Sequence, residues 1–134
     1  IEAIAASKLR MVGLAGFEGF MPAEISGGMA KRAAIARAMA RDPQILFLDE
    51  PSAGLDPITS AELDELILQL SRSLGVSFVV VTHELPSIYT IADRCIMLDK
   101  ETKGIIATGK PQDLRDHCEN AWVRRFFNRE AAAS

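Results

Sequence analysis

An α/β fold with a doubly wound, mostly parallel sheet follows from two features of these 134 residues. Strand, helix, strand, helix and strand alternate through the middle of the chain, and the first strand, QILFLDE, is an apolar run that reads as buried on both faces. In such sheets ligand groups gather beyond the carboxyl ends of the strands. The Asp49-Glu50 pair and His83 both fall at such ends.

The length is about that of one domain, enough for a core. With 49% hydrophobic and 25% charged residues the composition is that of a globular protein rather than a disordered one. The net charge of -3 argues against a surface built to neutralise phosphate backbones, so no nucleic-acid partner is expected. No apolar run approaches the roughly 18 to 20 residues that cross a bilayer, and IEAIAASKLR lacks the apolar stretch of a secretory leader, so the chain reads as cytosolic. Cys95 and Cys118 stand outside any CxxC spacing and read as buried structural thiols.

Residues 2–15 carry Ile4, Leu9, Met11, Val12 and Leu14 at near-helical spacing, predicting an amphipathic helix that ends near Gly13 or Gly16. GFEGFMPAE is a loop. Ser26-Gly27-Gly28 then precedes MAKRAAIARAMARD, an alanine-rich helix of about four turns that Pro43 stops. After QILFLDE, residues 59–74 form a helix through Leu63, Leu66, Ile67 and Leu70 with Gly75 as its stop. SFVVVTH is a β-branched strand, and Pro86 can open a short helix over 86–92. RCIMLD and GIIATG, joined by KETK, read as an antiparallel hairpin. The tail PQDLRDHCENAWVRRFFNRE reads as one or two helices, with Trp122, Phe126 and Phe127 packing against the domain in preference to docking a partner.

Three places could carry chemistry. An apolar strand ending in Asp49 and Glu50, followed by Pro51 and a tight loop through Gly54 to Asp56, suits one carboxylate as a metal-binding group and one as a base. The alternative is surface charge or a helix cap. Ser26-Gly27-Gly28 opening a helix offers free N–H groups and the positive dipole end to an anion, with glycines that let a phosphate approach. Read alone, Ser26 is first a helix cap. His83 after VVVT caps the next segment or donates a hydrogen bond to a phosphate.

Taken together, ISGGMAKRAAIARAMARDPQILFLDEPSAGLDP followed by VVVTHE resembles the ABC ATPase family. That family has a signature of the form LSGGQ leading a helix, a Walker B strand ending in Asp-Glu, a D-loop and a switch histidine, and all four patterns occur here in that order. The resemblance implies the fold of a P-loop NTPase-like ABC ATPase domain. By this reading Ser26, Gly27, Gly28 and Met29, the last departing from the usual glutamine, contact the γ-phosphate of ATP held by the opposite subunit. Asp49 holds Mg²⁺, commonly through water, and Glu50 orients and activates the attacking water. Asp56 links the two composite sites as the D-loop aspartate, and His83 reaches the γ-phosphate.

No segment matches GxxxxGKS or GxxxxGKT, the loop that cradles nucleotide phosphates. The resemblance therefore covers about the second half of a complete ATPase domain, with about 1–41 as its helical signature subdomain and about 42–134 as core sheet, hairpin and C-terminal helices. It implies ATP and Mg²⁺ as cofactors, activity only on dimerisation with the missing half in place, and no tight ATP binding by these residues alone. SGGM, MPAE, GLDPIT and VRRFFNRE look like the phospholipid-trafficking, Mla-type importers that maintain outer-membrane lipid asymmetry. That resemblance implies a second ATPase subunit, an integral-membrane permease, a lipid-binding periplasmic protein, and a place on the cytoplasmic face of the inner membrane. Other readings are the energy subunit of a small-solute importer, such as one for polar amino acids, the tail half of a DNA-maintenance ATPase, and a truncated regulator that docks on a complete subunit. Gly13, Gly16 and Gly19 interrupt the heptads that the DNA-maintenance reading requires.

Overall fold

The computed structural model describes residues 1–131, and the chain divides into two compact units, Ile1–His83 and the residues from Glu84 onward. The division near residue 41 is one of motifs; the packing boundary follows His83.

In the first unit, α1 (Glu2–Met11) and α2 (Gly27–Ala38) precede a strand–helix–strand crossover of β1 (Ile45–Asp49), α3 (Pro57–Leu74) and β2 (Ser77–Val81). α1 is shorter than its apolar spacing predicts, because Val12 and Gly13 turn the chain, their N–H groups reaching back to the carbonyls of Leu9 and Arg10, with Gly13 at φ 76°. The following loop contains one turn of 3-10 helix at Pro22–Glu24, where the Met21 N–H donates to Glu24 Oε2 at 2.6 Å. α2 passes into 3-10 geometry at Met39–Arg41 and ends on left-handed Asp42, one residue before Pro43. The basic end of α1 is tied down by an ion pair between Lys8 and Asp42.

α3 begins two residues earlier than the apolar spacing predicts. Asp56 caps it and Pro57 occupies its first turn, where a missing N–H costs nothing. Its apolar stripe, Leu63, Leu66, Ile67 and Leu70, is at most 5% exposed, each side chain contributing roughly 1.5–3 kcal/mol of burial. Gly75 closes the helix in the left-handed conformation at φ 66°.

β1 and β2 pair in parallel, with Ile45 opposite Ser77, Phe47 opposite Val79 and Asp49 opposite Val81. The expectation that β1 is buried on both faces is not met. Leu46 is 6% exposed, but Phe47 is 76% and Val81 60% exposed, and Ile45 and Val79 lie open on the same face. Strand side chains alternate between faces, and among the described residues of this unit nothing covers the second one.

The second unit contains α4 (Leu85–Ile91), the antiparallel hairpin β3 (Cys95–Asp99) and β4 (Gly104–Gly109), α5 (Pro111–His117) and α6 (Ala121–Asn128). The tail thus forms two helices. Their core is Ile88, Leu114, Val123 and Phe127, with Cys95, Met97, Ile106 and Cys118 packed around it. The Tyr89 hydroxyl donates to the Phe127 carbonyl at 2.6 Å, and Asn120 caps α6. Both cysteines are free and half-buried, and burial pushes the Cys95 thiol up. Phe127 belongs to this core, whereas Trp122 is 48% exposed and stacks on Phe126.

Candidate functional site

Each strand of the parallel pair delivers one reactive group just past its carboxyl end. The Glu50 N–H donates to the Val81 carbonyl at 2.7 Å, extending the ladder by one residue beyond Asp49. Pro51, which has no N–H, then ends the pairing, and the chain turns back with the Ala53 N–H on the Glu50 carbonyl. Gly54 at φ 78° completes the turn. The price is paid at Glu50, held at φ 46°, a left-handed conformation that costs a non-glycine residue on the order of 1–3 kcal/mol.

That backbone carries the side chain to His83. Glu50 Oε1 lies 2.7 Å from His83 Nδ1, and either a neutral imidazole donating from Nδ1 or an imidazolium satisfies the contact. Among the described residues, Glu50 Oε2 is buried with no hydrogen-bond partner. An orphaned buried carboxylate oxygen is costly, so its position fits an acceptor for a molecule that arrives at the site, such as a water to be deprotonated. The Ser52 hydroxyl, two residues on, is a second buried polar atom without a partner among the described residues.

Asp49 ends β1 with an exposed carboxylate. One exposed carboxylate fits a single, water-mediated arm of a Mg²⁺ site, since that ion keeps much of its own water.

The two remaining predicted positions are helix caps in this structure. The Ser26 hydroxyl accepts from the Met29 N–H at 3.2 Å, so the capping reading of Ser26 holds, while the hydroxyl proton stays available to an anion. The two glycines are the first residues of α2 rather than a loop before it. They differ in surroundings: Gly27 is exposed, and a Cβ there would meet only Leu55 at an ordinary 3.5 Å. Gly28 is buried, and a Cβ there would lie 2.6 Å from Thr59 Cγ2. Close helix packing gives Gly28 a structural role of its own, and Gly27 is the more open of the two glycines.

Asp56 accepts from the N–H groups of Ile58 and Thr59, each at 3.0 Å, and from the Thr59 hydroxyl at 2.5 Å. These bonds, led by the one from the Thr59 side chain, hold its carboxyl below the ordinary value of 3.8. The Asp-Pro step is a local signal for this cap. Thr59 and Ser52 escape a motif reading, because one matters through a contact 31 positions away and the other through a missing bond.

Glu50 and His83 are thus brought into direct contact. Asp49 adjoins Glu50 in the chain, while Ser26 caps α2 and Asp56 caps α3.

The ABC transporter family profile matches residues 2–53. The chain is 49% identical over 122 residues to the intermembrane phospholipid transport system ATP-binding protein MlaF of Escherichia coli, an alignment covering 90% of this chain and 44% of that protein. It is 40% identical over 128 residues to the probable ribonucleotide transport ATP-binding protein mkl of Mycobacterium leprae, covering 96% of this chain and 36% of that one. The chain thus spans less than half the length of these curated relatives. Among solved structures, the ADP conformation of MJ1267, an ATP-binding cassette of an ABC transporter, superposes with a TM-score of 0.80 at 23% identity, over 96% of this chain and 50% of that one. At that identity the likeness is one of fold.

Proposed function

The chain is part of an ABC transporter ATPase domain, and from that premise we propose that it serves ATP hydrolysis in the energy subunit of a phospholipid-trafficking transporter. The observation that carries the reading is Glu50, with one carboxylate oxygen on His83 and the other buried and unpartnered at the end of a parallel strand.

In this reading Glu50 Oε2 accepts the proton of the attacking water, and His83 holds Glu50 in orientation through Oε1. Mg²⁺ with ATP supplies charge neutralisation on the phosphates. Asp49 offers its carboxylate to a water of that ion. Gly27 and the Ser26 hydroxyl, at the dipole-positive end of α2, face the phosphate of a nucleotide bound by a second ATPase subunit. Asp56 lies in the segment that reaches toward that subunit.

In this reading the phosphate-cradling loop comes from outside these 134 residues, and a further segment covers the open face of β1 and β2. Two facts support this: the sequence lacks GxxxxGKS or GxxxxGKT, and Ile45, Phe47, Val79 and Val81 stand exposed. We take about 1–41 as the helical signature subdomain and about 42–134 as core sheet, hairpin and C-terminal helices. The 134 residues alone bind ATP weakly, and micromolar affinity in calorimetry would overturn that statement.

The 49% identity to the phospholipid-transport relative supports lipid as the cargo, and in this reading the subunit works on the cytoplasmic face of the inner membrane. There it would sit against an integral-membrane permease that carries a lipid-binding periplasmic protein. No helix among the described residues is long and apolar enough to cross a membrane; in this reading attachment runs through the permease. A small-solute importer is the second reading, favoured by the 40% identity to the relative named for ribonucleotide transport. Purification of the full-length subunit with its permease tests both. Bound phospholipid, with ATP turnover lost in Glu50→Gln while ATP binding persists, is the expected result; turnover by Glu50→Gln at the normal rate would overturn the role of Glu50.

A further inference from the structure

Gly28 and Thr59 meet where α2 starts on α3, and the room there is set by one methyl group. A Cβ at position 28 would come within 2.6 Å of Thr59 Cγ2, well inside van der Waals contact. Thr59 is β-branched, so placing its hydroxyl also places its methyl. The hydroxyl is placed: Oγ1 donates to Asp56 Oδ2 at 2.5 Å, while the Thr59 N–H donates to Oδ1 of the same carboxylate at 3.0 Å. One helical turn further along both helices a second tie holds them. Arg32 Nη2 stands 3.8 Å from Glu62 Oε2, and Arg32 Nη1 donates to the Val12 carbonyl at 3.0 Å. The side of α2 is thereby anchored, and the height of its first turn rests on the Thr59 methyl.

We propose that Thr59 is a positioning residue for the phosphate-facing end of α2: clamped by Asp56, its methyl fixes how closely Gly28 packs on α3 and hence where Ser26 and Gly27 stand. This rests on the reading of that end as a nucleotide contact. It gives Asp56 a task inside its own chain, since its carboxylate sets the Thr59 rotamer that supports the signature segment. The segment proposed to face a second subunit and the segment proposed to meet that subunit's nucleotide are coupled through two side chains and one glycine.

The test is a mutant cycle in the full-length chain. Gly28→Ala should lower Tm by several degrees, and adding Thr59→Ser, which removes Cγ2 and keeps the hydroxyl, should restore most of the loss. Thr59→Val keeps the branched shape and loses the hydroxyl. It should leave Tm within a few degrees of the parent, shift the Gly27 and Gly28 amide resonances in a ¹⁵N-glycine-labelled sample, and raise the KM for ATP several-fold with less than a twofold change in kcat. Thr59→Ser alone, which keeps the clamp but removes the methyl that sets the height of α2, should also raise the KM for ATP several-fold. A double variant no more stable than Gly28→Ala, or glycine resonances unmoved by Thr59→Val, overturns the proposal. Absence of ATP turnover in the parent protein would instead remove the nucleotide reading, while the Tm cycle and the amide shifts still decide whether Thr59 positions α2.

Discussion

Glu50 and Asp56 are six residues apart, and their surroundings could hardly differ more. Asp56 is exposed, and both of its oxygens accept bonds from the first turn of α3. Glu50 sits in a left-handed backbone conformation, with one oxygen on His83 and the other buried and bare. A carboxylate whose bonds are all local is part of the scaffold. One held in strain with a bonding capacity unused is kept for something that comes and goes. A motif match assigns both residues to nucleotide chemistry, and the geometry separates them.

The contrast can be broken by mutation. The largest effect should come from Glu50→Gln in the complete ATPase, where loss of the base lowers kcat by about 10²–10⁴. Thermal unfolding should show little loss of stability, because Gln keeps the contact with His83 and a buried oxygen or amide costs less than a buried charge. A fall in Tm as large as that of a core truncation would make Glu50 structural and erase the distinction. Next in size, His83→Ala should reduce turnover by an order of magnitude or more through the lost orientation of Glu50, with ATP binding measured by calorimetry changing less. Asp56→Ala should do the reverse, lowering Tm by a few degrees through the lost cap while its own titration disappears from stability.

The smallest effect is a pH dependence that sharpens the assignment. The folded-state carboxyl of Asp56 lies below its ordinary value, with the Thr59 hydroxyl as the main cause. Its stabilisation is therefore full above the unfolded-state value of about 3.9 and fades as the pH falls through the lower folded-state value. The stability gap between the parent and Asp56→Ala, followed by denaturant titration, should be constant from pH 7 to about 5 and narrow below about 4. A gap that changes between pH 6 and 8 would point to another group.

Much of this architecture is legible in the sequence because it is local. The α3 stripe follows from Leu63, Leu66, Ile67 and Leu70, its stop from Gly75, and both strands from their β-branched and apolar runs. The Glu50 and His83 contact is legible only by way of the family resemblance, since 33 positions separate them. The left-handed turn at Glu50 leaves no trace in composition, because a glutamate there is what the backbone would ordinarily refuse. Gly28 is only half legible. Next to Gly27 it reads as room for a phosphate, and its close packing on the Thr59 methyl is visible only in the structure. The two-sided burial expected of β1 fails for a simpler reason: hydrophobicity records that a face is meant to be covered, and among the described residues of its own unit nothing covers it.

The open face of the parallel pair also bears on the life of the polypeptide before assembly. Ile45, Phe47, Val79 and Val81 form an apolar strip on two adjacent strands, the kind of surface that recruits chaperones and nucleates face-to-face self-association. Yield and solubility of these residues in a cell should then depend on how soon after synthesis the strip is covered.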